Sequence, residues 1–250
     1  MRVIIPMAGS GQRFVQKGYV APKPLIKVNG RMIIEYILDS FDRENDKFIF
    51  IVNIEHLINH DIERVLKSLV KFAQVVVISN HKKGPVYTTQ KAFQFIDDNE
   101  EVIVSYCDNP YIWDYEKFKV FLKEEKPDGC VISHSGFHPH SLNSTKMAFM
   151  RLDDNNDLVT EIKEKECYTE NHLEEHASTG TYYFRKGSYV KRYFQTLMDR
   201  DINYNGEYYV TLVYNLLIAD GLNVLPYDTP YVTVLVHQKK FKALKRGRRF

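Results

Sequence analysis

The sequence predicts an α/β fold: a mainly parallel, twisted sheet with flanking helices, extended by a lobe of mixed or antiparallel strands. The first half of the chain contains four short apolar runs that are rich in branched residues and do not alternate with polar ones. These runs lie at 3–6, 48–52, 75–79 and 102–106. Such runs are typical of strands buried on both faces. Amphipathic stretches between them predict the helices of right-handed crossovers, and lie at 33–41, 55–70 and 86–96.

The second half of the chain has a different pattern, in which strand-like segments are joined by polar loops. These segments lie at 129–134, 147–152, 158–162 and 179–184, and predicted helices follow at 188–198 and 208–219. No stretch rich in Gly, Pro or Ser separates the two halves, and the chain has no internal repeat. We therefore expect a single domain over residues 1–250, with lobes at 1–125 and 126–236 and a basic tail at 237–250.

The composition argues against several classes of protein. No window approaches the roughly 18 unbroken apolar residues of a membrane helix, and the N-terminus does not have the pattern of a signal peptide. We therefore expect a cytoplasmic protein without membrane insertion.

The three cysteines lie far apart without CxxC spacing, which disfavours a disulfide framework or a zinc site. The last twelve residues, KKFKALKRGRRF, hold seven Lys or Arg. The rest is net acidic, so no nucleic-acid binding is expected of it.

The first predicted strand leads directly into the turn Ala8-Gly9-Ser10-Gly11, which is followed by Arg13. The turn lacks the third glycine of a dinucleotide-binding fingerprint and the GK[ST] of a P-loop. Its glycines still allow the backbone to present N–H groups to a phosphate. The guanidinium of Arg13 can add a fixed fork of donors. The turn therefore indicates an anion site at the carboxyl end of the strand.

Two further motifs support this interpretation. Lys23 lies between Pro22 and Pro24, which stiffen the loop and hold the lysine in place. A plain surface turn is the alternative for this segment. Asp108 directly follows a predicted buried strand and would lie at the same edge of the sheet. Magnesium takes one or two carboxylates together with phosphate oxygens and water, so Asp108 is a candidate ligand, with capping of the next turn as the alternative.

Together these motifs resemble the nucleotidyltransferases that activate sugar 1-phosphates and related small phosphates. The shared features occur in the same order along nearly the whole chain. They are the glycine turn with Arg13, the segment 22–25, Asp108, the pair Glu164-Lys165 and the strand at 180–184. The resemblance implies a glycosyltransferase-A-like sheet, in which 1–125 is the nucleotide-binding lobe and 126–236 the acceptor lobe. This class also often forms homodimers.

The resemblance implies roles for individual residues of the nucleotide-binding lobe. The turn and Arg13 would hold the triphosphate, and Lys23 would neutralise charge near the α-phosphate, so Arg13 and Lys23 are the catalytic candidates. The loop with Lys83 and Gly84 would read the base through backbone atoms, and Asp108 would hold Mg²⁺. The candidate nucleotide-binding residues are therefore Ala8, Gly9, Ser10, Gly11, Lys83, Gly84 and Asp108.

In the acceptor lobe, the resemblance implies that Lys165 binds the acceptor phosphate and that Glu164 forms hydrogen bonds with acceptor hydroxyls. Gly180 and Glu207 are further acceptor-binding candidates, although helix capping is an equal alternative for the segment 206–209. The histidines His134, His138 and His140 lack a carboxylate or cysteine to complete a metal set. We expect them on a loop surface, with contact to the acceptor as the alternative.

The sequence also departs from the family pattern at three places. Cys107 precedes the metal aspartate where a glycine or small residue is usual, and Glu166 follows Lys165 where proline is common. The second metal ligand is open between Asp228 and the segment 235–238, which has no acid. The departure at Glu166 favours an acceptor other than an ordinary hexose phosphate.

The expected reaction is the transfer of a nucleoside monophosphate from a triphosphate to the phosphate of a small acceptor, with release of pyrophosphate. The compact AGxGxRF form resembles cytidylyl- and uridylyltransferases more than adenylyltransferases, and on this resemblance CTP is favoured. The tract at 175–182 resembles enzymes of capsule or surface-polysaccharide synthesis, so the acceptor is a sugar phosphate or a non-sugar such as phosphocholine or phosphoglutamine. The alternatives are a glycosyltransferase of the same fold that uses a nucleotide sugar, and a non-catalytic nucleotide-binding subunit.

Overall fold

The computed structural model describes residues 1–9, 18–136, 147–229 and 231–232. The strands, in chain order, are β1 (Arg2–Met7), β2 (Lys27–Val28), β3 (Arg31–Met32), β4 (Lys47–Asn53), β5 (Gln74–Ile78), β6 (Val102–Ser105), β7 (Tyr111–Ile112), β8 (Gly129–His134), β9 (Ala148–Leu152), β10 (Val159–Glu164), β11 (His176–Phe184), β12 (Val224–Asp228) and β13 (Tyr231–Val232). The helices are α1 (Ile33–Leu38), α2 (Ile54–His60), α3 (Ile62–Leu69), α4 (Gly84–Gln90), α5 (Tyr115–Glu125), α6 (Gly187–Asp199) and α7 (Val210–Ala219). Short 3₁₀ helices span Lys23–Leu25 and Phe93–Phe95.

Within the described residues, nine of the strands form one mixed sheet. Its first half is parallel: β1 pairs with β4 and β6, and β4 pairs with β5. Its second half is mixed: β11 runs antiparallel to β6, β8 and β9, while β9 pairs with β10 and β8 pairs with β12. This is the predicted fold class, a mainly parallel sheet with flanking helices and an added mixed lobe.

Successive side chains of each strand point to opposite faces of the sheet and pack into two separate hydrophobic cores. Ile4 of β1 packs in the core on the side of α4, α6 and α7. Its neighbours Val3 and Ile5 pack in the core on the side of α1, α3 and α5. The predicted branched runs all form strands, and those of β1, β4 and β6 are largely buried, because strands covered on both faces need apolar residues at nearly every position. The burial predicted for the run at 75–79 is wrong, because β5 lies at the edge of the sheet and is only partly buried. None of the helices in the described ranges is long and apolar enough to span a membrane.

Two predicted helices are wrong in their extent. The stretch at 55–70 forms two helices, because Asp61 adopts a left-handed φ of 47° between α2 and α3. The stretch at 86–96 is α-helical only to Gln90, and a 3₁₀ turn, Phe93–Phe95, follows. The sequence analysis also missed α5, whose N-cap Asp114 accepts a hydrogen bond from the backbone N–H of Lys117 over 3.0 Å.

Candidate functional site

The predicted nucleotide-binding residues lie at one edge of the sheet. Because β1, β5 and β6 run parallel through the sheet, their carboxyl ends meet at this edge. Gly9 follows β1, Lys83 and Gly84 follow β5, and Asp108 follows β6. The described residues therefore bring these candidates to a common rim. Three further candidates, Ser10, Gly11 and Arg13, lie outside the described residues.

The end of β1 contacts the loop that contains Lys83. Gly9 forms a parallel bridge with His81, and Asn53 Nδ2 donates a hydrogen bond to the carbonyl oxygen of Ala8 over 3.5 Å. His81 Nδ1 in turn accepts from the backbone N–H of Lys83 over 3.1 Å. Burial, together with the charges of two nearby lysines, lowers the pKa of His81 and favours the neutral ring that this acceptance requires. The glycine turn thus begins beside the loop predicted to read the base.

Lys23 and Asp108 form an ion pair at this rim. The proline-flanked segment folds as a 3₁₀ turn in which the backbone N–H of Leu25 donates to the carbonyl oxygen of Pro22 over 2.8 Å. The turn directs the ammonium of Lys23 to the Asp108 carboxylate, and both side chains stay partly exposed. Burial and the adjacent Asp108 charge raise the pKa of Cys107 to about 12, so its thiol stays protonated. Cation and carboxylate are therefore held together before any ligand arrives.

The donor set at Asp108 fits a magnesium ion bound jointly with phosphates. Among the described residues, no group of three or more His, Cys, Asp or Glu is arranged to hold a metal without other ligands. A single accessible carboxylate meets the requirement of Mg²⁺ when phosphate oxygens and water complete its shell. Such an ion would compete with Lys23 for the Asp108 carboxylate.

Asp228, one of the two candidates for the second metal ligand, lies elsewhere. It ends β12, which is three strands from β6 through β8 and β11, or roughly 14 Å at ordinary strand spacing. Its carboxylate binds His176 Nδ1 over 3.0 Å and accepts from Ser133 Oγ over 2.5 Å. The structure therefore does not bring Asp228 to Asp108. The alternative segment, 235–238, lies outside the described residues.

The predicted acceptor-binding residues of the second lobe cluster together. Glu164 ends β10, and its buried carboxylate accepts from Thr211 Oγ1 over 2.6 Å and lies 3.8 Å from Lys165 Nζ. Lys165 Nζ donates to Tyr209 Oη over 2.5 Å, and that hydroxyl donates to Glu207 Oε2 over 2.9 Å. The carboxylate of Glu207 thus joins the cluster through Tyr209 and does not cap the following helix.

Gly180 lies where the two lobes meet. Along β11, residues 181–184 pair with β6 of the first lobe, whereas residues 176 and 177 pair with β9 of the second. Gly180 has a φ of +93°, and a Cβ there would lie 3.1 Å from the Tyr106 ring. The backbone N–H of Tyr106 donates to the carbonyl oxygen of Gly180 over 2.8 Å. The change of strand partner therefore occurs around Gly180, which contacts Tyr106, two residues before Asp108. Only a glycine fits there, because the Tyr106 ring approaches closely and φ is positive.

Hydrogen bonds also connect the acceptor-binding candidates to the rim that holds the nucleotide-binding candidates. The backbone N–H of Tyr208 donates to the carbonyl oxygen of Lys83 over 3.0 Å, and that of Val86 donates to the carbonyl oxygen of Tyr208 over 3.1 Å. On the other side, the backbone N–H of Val210 donates to Tyr106 Oη over 3.4 Å. The candidates of both lobes therefore surround a common region at the edge of the sheet.

Sequence reasoning missed some members of this region. Thr211, the second residue of α7, contacts Glu164, and Tyr204, in the loop before that helix, contacts Lys165. Neither position carries a sequence pattern that indicates its contact. Among the histidines, His134 is the buried last residue of β8 and not part of a loop surface. His138 and His140 lie outside the described residues.

Solved structures share this fold over nearly the whole chain. A nucleoside-diphosphate-sugar pyrophosphorylase from Vibrio cholerae RC9 superposes with a TM-score of 0.77 at 20% identity, covering 98% of this chain and 99% of its own. An inositol-1-phosphate CTP transferase from T. maritima gives 0.69 at 13% identity, covering 98% and 95%. At these identities the likeness shows the fold.

Sequence comparison adds curated relatives and a family. The bifunctional protein GlmU of Thermosipho africanus is 22% identical over 218 residues, which are 84% of this chain but 42% of GlmU. The chain thus spans less than half the length of this relative. Residues 3–160, more than half of the chain, match the family model of the MobA-like NTP transferase domain. The protein therefore belongs to the MobA-like NTP transferase family.

Proposed function

We propose that the protein is a Mg²⁺-dependent nucleotidyltransferase. It transfers a nucleoside monophosphate, with CTP as the favoured donor, to the phosphate of a small phosphorylated acceptor and releases pyrophosphate. The observation that carries this proposal is the placement of two cations around one sheet edge: Lys23 beside Asp108, and Lys165 in the second lobe, with Gly180 between the lobes. A reaction between two polyanions needs positive charge on both sides of the reacting phosphorus.

In the proposed reaction, an oxygen of the acceptor phosphate attacks the α-phosphorus while the bond to the leaving pyrophosphate breaks in line. The acceptor phosphate is already ionised at neutral pH, so no general base is needed. The residues act by positioning and by charge. Lys23 neutralises the α-phosphate, Arg13 and the turn at 8–11 hold the triphosphate, and Lys165 holds the acceptor phosphate. Asp108 would hold Mg²⁺, and the bound ion would supply further positive charge to the phosphates.

The preference for CTP rests on the compact AGxGxRF motif, and the inositol-1-phosphate CTP transferase among the structural neighbours is compatible with it. A role in capsule or surface-polysaccharide synthesis rests on the tract at 175–182. The acceptors that we propose are a sugar phosphate or a non-sugar such as phosphocholine or phosphoglutamine.

Thermal unfolding with Mg²⁺ and CTP, UTP, GTP, dTTP, ATP or UDP-glucose in turn tests the donor. A ligand at about 100 times its dissociation constant adds roughly 2.7 kcal/mol of stability, which a thermal scan resolves. We expect CTP to raise the midpoint most. Stabilisation by UDP-glucose alone, without pyrophosphorolysis of that sugar nucleotide, would instead indicate a glycosyltransferase of the same fold.

A further inference from the structure

The ammonium of Lys165 lies in a pocket of tyrosine rings and carboxylates. Its Nζ is 4.1 Å from the ring centre of Tyr209 and 4.8 Å from that of Tyr204. The two rings meet edge to face, with centres 6.4 Å apart. Glu164 lies 3.8 Å away, and Glu207 is linked to the ammonium through the Tyr209 hydroxyl. We call Glu164, Tyr204, Glu207 and Tyr209 the ammonium cluster.

The ammonium cluster carries more negative than positive charge. Two carboxylates surround the single cation of Lys165, and Glu164 is only 8% exposed. Burial raises the pKa of Glu164, and Glu207 raises it further, whereas the hydrogen bond from Thr211 and the charge of Lys165 lower it. The Thr211 hydrogen bond and the adjacent cation of Lys165 thus both favour the ionised form of Glu164.

In the proposed reaction this cation leaves the cluster. If Lys165 binds the acceptor phosphate, its ammonium would move away from Glu164 and the two rings, and Glu207 would lose its link to the ammonium through Tyr209. Aromatic faces and carboxylates are the groups that recognise ammonium and quaternary ammonium ligands, with the ring face attracting the cation electrostatically. A neutral sugar would leave both carboxylates without a compensating charge, whereas a cationic nitrogen would restore it.

We propose that the acceptor carries a cationic nitrogen in addition to its phosphate, and that the ammonium cluster binds this nitrogen once Lys165 has moved to the phosphate. The inference rests on the proposed function, and it narrows the acceptor class to aminoalkyl phosphates and related zwitterions over neutral hexose phosphates. A carboxylate accepts a hydrogen bond from an N–H as readily as from a hydroxyl. Glu164 therefore still contacts the acceptor, but it binds a cationic nitrogen in place of a hydroxyl.

A matched pair of acceptors tests this inference. Pyrophosphate release would be measured with the triphosphate that stabilises the protein and with 2-aminoethyl phosphate, its trimethylated form, 2-hydroxyethyl phosphate or glucose 1-phosphate. We expect kcat/KM for the two cationic acceptors to exceed that for 2-hydroxyethyl phosphate by at least about tenfold, the range of a desolvated cation–aromatic contact. Equal values for the amino and hydroxy compounds would overturn the inference but leave the transferase function standing. Release with none of the four would overturn both.

Variants of the cluster provide a second measurement. Glu207→Gln and Tyr204→Leu should each lower the preference for 2-aminoethyl over 2-hydroxyethyl phosphate, with KM for the triphosphate unchanged. Glu116→Gln, which removes an exposed carboxylate on α5, is the matched control and should keep the preference. An unfolding midpoint for each variant separates loss of fold from loss of recognition. A preference that survives in both folded variants would contradict the assignment of the cluster.

Discussion

The α-carbon of Gly84 packs directly against the backbone of Tyr208. A Cβ at Gly84 would lie 2.8 Å from both the nitrogen and the carbonyl oxygen of Tyr208, and the φ of Gly84 is +83°. Two hydrogen bonds flank this contact, one from Tyr208 to Lys83 and one from Val86 to Tyr208. The loop proposed to read the base is thereby fixed to the segment that carries the acceptor-binding candidates.

Replacing Gly84 with alanine should therefore affect both substrates. The left-handed φ costs about 1–2 kcal/mol for a residue with a Cβ, and the clash with Tyr208 adds about 1–3 kcal/mol. We expect an unfolding midpoint lower by roughly 4–20 °C, together with weaker binding of triphosphate and acceptor.

Gly30 supplies the control for this substitution. Its φ is +85°, but a Cβ there would meet no atom within 4 Å. Gly30→Ala should thus show the backbone cost alone, about 2–8 °C in the midpoint, with unchanged substrate binding. Equal losses in the two variants would mean that the contact with Tyr208 contributes nothing.

Thr211→Val should destabilise the protein through the buried Glu164 carboxylate. The substitution keeps the shape of the side chain but removes the 2.6 Å hydrogen bond to Glu164 Oε2. Loss of a donor to a buried carboxylate costs about 2 kcal/mol, or roughly 4–8 °C in the midpoint for a chain of this size. Because the hydrogen bond favours the ionised form, the loss should shrink as pH falls and Glu164 becomes protonated.

Thr160 is the control for Thr211. Its exposed Oγ1 donates to the carbonyl oxygen of Arg151 over 3.1 Å, and no carboxylate takes part in this bond. Thr160→Val should change stability by no more than about 0.5 kcal/mol. A Thr211→Val protein that is as stable as Thr160→Val at neutral pH would refute this account of Glu164.

The pair of His176 and Asp228 should give a pH-dependent part of the stability. The hydrogen bond with Asp228 raises the pKa of His176 above its ordinary value of 6.5, against the effect of burial, and Asp157 adds to the rise. Because the pKa of His176 is higher in the folded protein than in the unfolded chain, the pair stabilises the fold fully below pH 6.5. This stabilisation is lost as pH rises through the pKa of His176 in the folded protein. Because both side chains are partly exposed, the pair is worth only about 0.5 kcal/mol.

A double-mutant cycle of His176→Gln and Asp228→Asn checks this contribution. The coupling between the two sites should be about 0.5 kcal/mol, roughly 1–2 °C in the midpoint, below pH 6.5, and should fall as pH rises through the raised pKa of His176. A coupling free energy that increases with pH would contradict this account of the His176–Asp228 pair.

Much of the sheet could be predicted from the sequence, because strands buried on both faces leave uninterrupted branched runs such as those of β1 and β4. The helices were harder to delimit. Asp61 breaks a continuous amphipathic pattern with a left-handed conformation that a non-glycine residue rarely adopts, so nothing in the pattern marks the break. In α5, charged residues outnumber the two buried residues, Phe118 and Leu122, so the sequence shows only a weak helical period of apolar residues.

The site shows a similar division. Gly9 and Asp108 could be predicted because each follows a recognisable strand, and the carboxyl ends of parallel strands meet. The partners of Lys165 could not be predicted in this way. Tyr204 is distant from Lys165 in sequence, and its ring meets the ammonium only in the folded chain. In the same way, the packing of α7 against β10 brings Thr211 to Glu164. Contacts that depend on such packing leave no local pattern in the chain.

The most direct test of the central claim is pyrophosphate release by Lys23→Ala and Asp108→Asn, with Lys67→Ala as a surface control. Lys67 pairs with Glu63 on the exposed face of α3, away from the sheet edge. Removing a charge that stabilises the transition state costs about 3–4 kcal/mol, so each site variant should lose at least about a hundredfold in kcat while its unfolding midpoint shows an intact fold. Lys67→Ala should keep full activity. Near wild-type pyrophosphate release by both folded site variants would contradict nucleotidyl transfer at this edge of the sheet.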